Sequence, residues 1–439
     1  MANDSGHSGD VDVVVVGAGV AGLITARELA NRGLSTVVVE RAEHTGGRVQ
    51  TEHHHGAYLE HGGIFHTRGY AAMRRLLAEV GLAEDSIATP TGFHAGVRSG
   101  DTWRHVDYGS LTGPLLTRAL GWSDKISILR AALPALLARP ADLGDLTSLQ
   151  HLDDRPATRG LTTRAATHFT AGPHEFLWGT PSDQLSFAML AMQLHVFTGE
   201  LREVRGGVGR FVDAIATGLD VRHGATVRRV VPSPDGVEVH LDGETRPLRA
   251  RAAVLACPAD VAADLWSDAP APVAEHLRSI EYSRIDYVYL RTREPIELRA
   301  DGRPVGMEVV TTAEVGGTVM GGIYVANAWA QDGGLLLVTA AQAAHAEDLD
   351  DTTLADHLQS HAEKLHPELV GQITDRVVMR HPIYTPTFGP GSIRRLAEAR
   401  RHLPVNRIDL AGDHMTAPWV EGAIRSGQQA AERIATSLR

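Results

Sequence analysis

A run of valines that breaks directly into a glycine-rich turn constrains this chain more than any other feature. Val11-Asp-Val-Val-Val-Val16 suits a strand buried on both faces of a parallel sheet. Gly17-Ala-Gly-Val-Ala-Gly22 follows, then apolar residues at helical spacing from Leu23 to Arg32, with Gly33 ending the helix. Gly17 permits the turn, Gly19 lets backbone approach a pyrophosphate, and Gly22 lets helix and strand pack closely. A second strand, Thr36 to Val39, ends in Glu40, placed to accept hydrogen bonds from a ribose diol. Strand, turn, helix and acid in this order specify a bound dinucleotide, FAD or NAD alike.

The next segment separates the two. Arg41-Ala-Glu-His-Thr-Gly-Gly47-Arg48 lies just past the acid, where the pyrophosphate and ribityl chain of a flavin would extend. Arg48 offers a fork of donors to phosphate, and the glycine pair lets amides come close. With Gly62-Gly63-Ile64 following in Tyr58-Leu-Glu-His-Gly-Gly-Ile64, the sequence resembles the flavin amine oxidase superfamily. The resemblance implies FAD and an α/β fold: a Rossmann-like FAD-binding domain with a discontinuous α+β substrate domain. We expect residues 1–95, 201–275 and 400–439 in the first, and 96–200 with 276–399 in the second, as a helical part plus a mixed sheet.

Other segments extend the resemblance. Arg205 to Leu219 is similar to the segment by which such flavoproteins return to the cofactor domain. Val221–Val231, Val237–Leu241 and Leu248–Ala256 alternate as strands, turning at Pro234-Asp-Gly236. Val230 matches the family position whose backbone contacts the adenine, although a plain β-meander has the same pattern. Near the end, Ile408-Asp-Leu-Ala-Gly412-Asp413 reads as a short strand, and a helix begins near Glu421. By resemblance, Asp413 after Gly412 binds the ribityl hydroxyls, and the helix start at Val420 faces the flavin edge.

Candidate catalytic residues also come from the resemblance. Trp419, before Glu421-Gly422, and Tyr384, upstream of Pro390-Gly391, match two rings that flank the substrate before the flavin. Ile383 stands where some members carry a flavin-linked cysteine, so the FAD is expected to be non-covalent. The stretch Tyr282 to Leu290 lacks the lysine that many members use near the flavin; Arg284 or Asp286 could stand in, or be solvated strand residues. Glu60 and His61 are candidates for proton handling or for holding a cationic substrate, with exposed hairpin ends as the alternative. The implied reaction is hydride loss from a carbon next to nitrogen of a small organic substrate, giving an imine, with O2 as acceptor. CH–CH dehydrogenation of a porphyrinogen or polyene is the alternative enzyme, and a GDP dissociation inhibitor-like binder the alternative outside catalysis.

Composition narrows the rest. A net charge of −11 argues against a nucleic-acid partner. The one cysteine, Cys257, excludes an intramolecular disulfide or cysteine zinc cage, and reads as a small buried residue in a cytoplasmic protein. The polar, acidic first ten residues do not resemble a signal peptide, and no apolar run is long enough for a membrane span. The His53-His54-His55 run is expected to bind no metal, because neighbouring strand residues point to opposite faces. A homodimer is left open. From Gly69 to Arg139 the patterns read as helical, and Ile280–Thr292, Val305–Thr312 and Leu335–Ala340 as a second sheet.

Overall fold

The computed structural model describes residues 11–138, 140–310, 320–327, 333–341 and 345–439. The polar N-terminal ten residues, Arg139 and the end of the expected strand at Val305–Thr312 lie outside this set. The chain divides into two compact units: residues 1–49, 211–280 and 395–439, and residues 50–210 and 281–394.

In the first unit the valine strand Val11–Val16 lies between Thr36–Val39 and Leu248–Leu255, parallel to both, with Val15 opposite Val38 and Val254. Asp220–Arg222 extends this sheet parallel to Thr36–Val39, and Ile408–Leu410 runs parallel to Leu248–Leu255. Val227–Ser233 and Gly236–Leu241 form the antiparallel hairpin read from the sequence. Val13 to Val15 are fully buried, as an apolar run covered on both faces requires. The first helix, Val20–Ala30, meets the last, Val420–Ser437, at Gly427, where a Cβ would lie 2.5 Å from the Ala21 carbonyl oxygen. Only glycine permits that approach.

The second unit holds a seven-stranded sheet ordered Ile373–His381, Ile285–Thr292, Gly334–Ala340, Met320–Ala326, Met307–Val309, His94–Ser99 and Thr102–Asp107. The helix Asp351–Leu365 closes its core through Leu354 and Leu358, among Val288, Ile323, Leu336 and Val338. Two expectations are corrected here. The Gly69–Arg139 region is not helical throughout: His94–Ser99 and Thr102–Asp107 are a hairpin, turned by Gly100 at φ +59°. Residues 50–95 and 201–210 pack with the second unit, because His94–Ser99 pairs with Met307–Val309, and Leu201–Val204 pairs with His66–Thr67 and Ser86–Ala88.

Candidate active site

In the first unit, two glycine turns lie against each other. Gly17 adopts φ +108°, and a Cβ there would sit 2.8 Å from the Ala256 carbonyl oxygen; a Cβ on Gly22 would sit 2.0 Å from the Gly17 oxygen. Gly19 differs. A Cβ at Gly19 meets nothing within 4 Å, yet this residue begins the helix Val20–Ala30, which has no side-chain cap. Packing does not require glycine there, whereas an anion seated on the helix amides would. The second turn closes on the first through the Gly46 N–H, which donates to the Ala18 carbonyl at 2.8 Å, and Gly47 at φ +60°.

Glu40 sits where the second strand ends. Its Oε2 accepts the Ala18 N–H at 2.7 Å and its Oε1 the Ala42 N–H at 2.8 Å. Each oxygen keeps a lone pair for a hydroxyl, and the two donors fix the plane of the carboxylate. Arg41 is exposed on the following turn. Val230 is fully buried in the hairpin, opposite Val239.

The far end of the chain returns to the same unit. Gly412 adopts φ +150°, and its N–H donates to Ser426 Oγ at 2.9 Å. Asp413 accepts Arg48 Nη2 at 2.8 Å through Oδ1, so the second glycine turn and the strand-end acid are joined. His414 beside it is buried, and its Nε2 has no hydrogen-bond partner among the described residues. Burial, with the Arg48 charge adding to it, pushes this imidazole down to about 3, so it is neutral. Val420 opens the last helix, whose N-cap is Trp419 and which carries no side-chain cap. Sequence reading passed over His414. Its position between Asp413 and the helix start was the available signal.

The second unit holds the remaining candidates. Gly63 adopts φ +71°, Gly62 is buried and Ile64 half-buried. Glu60 is 7% exposed, which removes the exposed-hairpin alternative. Its Oε2 accepts the Thr51 hydroxyl at 2.6 Å and its Oε1 the Val208 N–H at 2.9 Å. Burial raises this carboxyl to about 8, against the pull of those two hydrogen bonds. The carboxyl ties the hairpin Thr51–Glu60 to the segment before Gly209. Arg284 is likewise engaged: its Nε and Nη2 reach Asp286 at 2.7 and 3.2 Å.

A ring cluster surrounds Tyr384. Its ring centroid lies 5.8 Å from that of His381, whose Nε2 is 3.0 Å from the Tyr287 hydroxyl. The Tyr287 and Tyr289 hydroxyls both donate to the Glu60 carbonyl, at 2.7 and 3.0 Å. Burial, reinforced by His61, pushes His381 down to about 4, so the cluster is uncharged at neutral pH. Sequence reading missed His381, Tyr287 and Tyr289. The two tyrosines, two apart on one strand, share a face, and that spacing was the signal available.

Separately, an apolar pocket in this unit is lined by Phe93, Tyr108, Phe169, Trp178, Leu190 and Phe197, with Ser110, His174, Gln193 and Thr198 as polar lining. No carboxylate or basic chain beyond His174 lines it. Burial keeps His174 below the usual histidine range.

The histidine run differs from expectation. His55 leaves the strand at φ +47°, with Gly56 at +84°, in a tight two-residue turn. His54, His55 and Asp375 consequently bring ligand atoms within 4.8 Å of one another. The alternation argument against a metal covers His53 and His54 only. Cys257 is half-buried rather than buried, and desolvation still pushes its thiol up to about 12.

Residues 20–435 match the sequence profile of the flavin-containing amine oxidoreductases. The chain belongs to that family. It is 30% identical over 257 residues to the AofH protein of Mycobacterium tuberculosis, which carries the name flavin-containing monoamine oxidase; the match covers 53% of this chain and 54% of that protein. It is 30% identical over 181 residues to coproporphyrinogen III oxidase of Propionibacterium freudenreichii, covering 40% of this chain and 33% of that enzyme. The matched stretch thus spans about half, or less, of these relatives. Cyclohexylamine oxidase of Brevibacterium oxydans IH-35A shares the fold, with a TM-score of 0.80 at 18% identity over 98% of this chain and 100% of that one.

As a flavin-containing amine oxidoreductase the chain is an FAD enzyme, with FAD held non-covalently, and the GDP dissociation inhibitor-like alternative is set aside. The structure fits the cofactor. The unexplained glycine at the first helix start, the oriented Glu40 carboxylate and the orphaned His414 nitrogen are what a dinucleotide with a polar isoalloxazine edge would use.

Proposed function

We propose that this enzyme oxidises an organic molecule bearing a bulky apolar group, at a carbon next to nitrogen. The substrate loses a hydride and a proton to become an imine, and O2 takes up the two electrons and two protons as hydrogen peroxide. The observation that carries the choice of substrate is the pocket built from Phe93, Tyr108, Phe169, Trp178 and Phe197, whose polar lining of Ser110, His174, Gln193 and Thr198 is neutral. A diamine would leave its second ammonium unpaired there, at a large desolvation cost. An aryl or alicyclic amine in its neutral form would not.

FAD supplies the electron-accepting ring when bound. Gly17, Gly19 and Gly22 would cradle its pyrophosphate, with Arg41, Gly47 and Arg48 flanking it. Glu40 would hold the ribose diol and Val230 the adenine. Gly412, Asp413 and the helix start at Val420 would take the ribityl chain and the ring edge, and Gly62, Gly63 and Ile64 would approach the ring. Trp419 and Tyr384 would orient the substrate carbon, with neutral His381 setting the Tyr384 ring. A cytoplasmic setting suits a chain with a single cysteine.

One observation favours a second reading, CH–CH dehydrogenation. The strand Ile285–Thr292 presents Tyr287 and Tyr289 on one face and holds no lysine. The test is an anaerobic visible spectrum of the holoenzyme mixed in turn with apolar amines, diamines, porphyrinogens and polyenes. Bleaching by apolar amines, with peroxide released on admitting air, supports the first reading. Bleaching by the unsaturated compounds alone replaces it with the second.

A further inference from the structure

Ten large apolar side chains are exposed among the described residues, and eight of them lie between Leu111 and Leu137. They are not scattered. On the helix Trp122–Leu137, the side chains of Trp122, Ile126, Leu129, Leu133 and Leu137 recur every three or four residues and so share one face. Their exposure runs from 45% at Ile126 to 83% at Trp122, and Leu116, just upstream, is 78% exposed. The opposite face, with Ile128, Ala131, Ala132 and Ala135, is already buried in the second unit. The helix is therefore apolar on both sides, with one side left without a protein partner among the described residues. A contiguous apolar face of this kind marks an interaction surface.

Charge selects its partner. The chain as a whole carries −11, yet from Tyr108 to Ala141 its sequence holds four basic residues, Arg118, Lys125, Arg130 and Arg139, and one acid, Asp124. That acid is buried, its carboxylate accepting the Gly121 N–H at 2.9 Å and the Thr162 hydroxyl at 2.6 Å. Arg118 and Arg130 are exposed, and the Lys125 ammonium lies 5.7 Å from the Trp122 ring. The face thus presents leucines, a terminal tryptophan and cations with no exposed acid among them. A second copy of the same face would bring like charges together. An anionic lipid surface complements both the apolar stripe and its basic flank.

We propose that the Leu116–Leu137 face docks the enzyme on an anionic bilayer as a peripheral, interfacial helix. No described helix is long and apolar enough to cross a membrane, so the attachment lies in the plane of the interface. Leu111 gives the docking a consequence. It is 50% exposed at the edge of this patch, and with Ser110 and Pro114 it also lines the aromatic pocket. A docked face would set the rim of that pocket at the bilayer, where an apolar ligand concentrates. The docking itself does not depend on which bond the enzyme oxidises.

The test is sedimentation of the holoenzyme with vesicles of phosphatidylcholine alone or mixed with phosphatidylglycerol, at low and high salt. The enzyme is expected to sediment with the mixed vesicles at low salt, and to be released by salt. Lys125→Gln with Arg130→Gln should weaken binding about fivefold per charge removed. Leu129→Ser with Leu133→Ser, both at exposed positions, should abolish it while flavin content and thermal midpoint stay unchanged. Sedimentation with neither vesicle overturns the proposal. So does a dimer in analytical ultracentrifugation that the double serine variant dissociates, since a second copy would then cover the face.

Discussion

Arg48 and Asp413, 365 residues apart in the chain, meet through Nη2 and Oδ1 at 2.8 Å, with the Asp413 side chain only 7% exposed. The same Oδ1 accepts the His414 N–H at 3.1 Å, so the acid is fixed from two directions. A charge-assisted hydrogen bond in a largely buried setting is stronger than a neutral one, and it holds both chain segments in register for one ligand. Asp413→Ala should raise the apparent Kd for FAD at least about tenfold, ~1.4 kcal/mol, with Asp413→Asn between it and wild type. The ratio of flavin to protein absorbance after gel filtration reads this directly. Full occupancy in the alanine variant would remove Asp413 from the cofactor site.

Gly19 and Gly22 make a sharper pair, because the same substitution has two different meanings. At Gly22 an added Cβ would lie 2.0 Å from the Gly17 oxygen, so Gly22→Ala should disrupt the turn and lower the thermal midpoint of the apoprotein. At Gly19 the Cβ enters open space at ordinary φ (−69°), so Gly19→Ala should fold normally as apoprotein and yet lose FAD. Thermal melts and flavin content on both variants check this. A Gly19→Ala protein that keeps its flavin would show that nothing approaches this backbone.

Those two glycines also show how far the sequence could be read. Motif order marked Gly17, Gly19, Gly22, Glu40 and Asp413 as cofactor candidates, since each meets a constraint local to a strand end or helix start. The strand-and-helix period placed the first-unit sheet for the same reason. The burial of Glu60 was not legible because Val208, 148 residues on, donates to its carboxyl, and no local pattern announces a partner so far along the chain. His381 was missed likewise: its meaning arises only where its strand lies beside Ile285–Thr292 and Tyr287. The hairpin at residues 94–107 is half-buried on a mixed sheet, with an alternation weaker than the helical pattern around it.

Glu60 offers a test in which pH separates structure from chemistry. Its folded value of about 8 lies above that of an unfolded glutamate, ~4.3. The unfolded chain therefore gives up this proton first, and the contribution to stability is complete below ~4.3 and lost as pH rises through about 8. Glu60→Gln keeps an acceptor for the Val208 N–H and removes the titration. The thermal midpoint of the variant, measured against wild type, should rise from acid to mildly alkaline pH and then level. A difference independent of pH would mean that the Glu60 carboxyl does not stay protonated in the fold.

Four histidines predict the opposite slope. Burial pushes His66 and His381 down to about 4 and His276 and His414 down to about 3, against ~6.5 in an unfolded chain. As pH falls below ~6.5 the unfolded state takes protons that the native state refuses, so stability falls until the native imidazoles titrate. Glu60, raised to about 8, opposes one of these four protons in the same window. The thermal midpoint should thus drop steeply on moderate acidification. His66→Gln should make that slope shallower by about one proton, ~1.4 kcal/mol per pH unit, because the amide can still reach Ser86 Oγ, 2.9 Å from His66 Nε2 in wild type. An unchanged slope in this variant would show that His66 protonates alike in both states and that its burial carries no pH-linked cost.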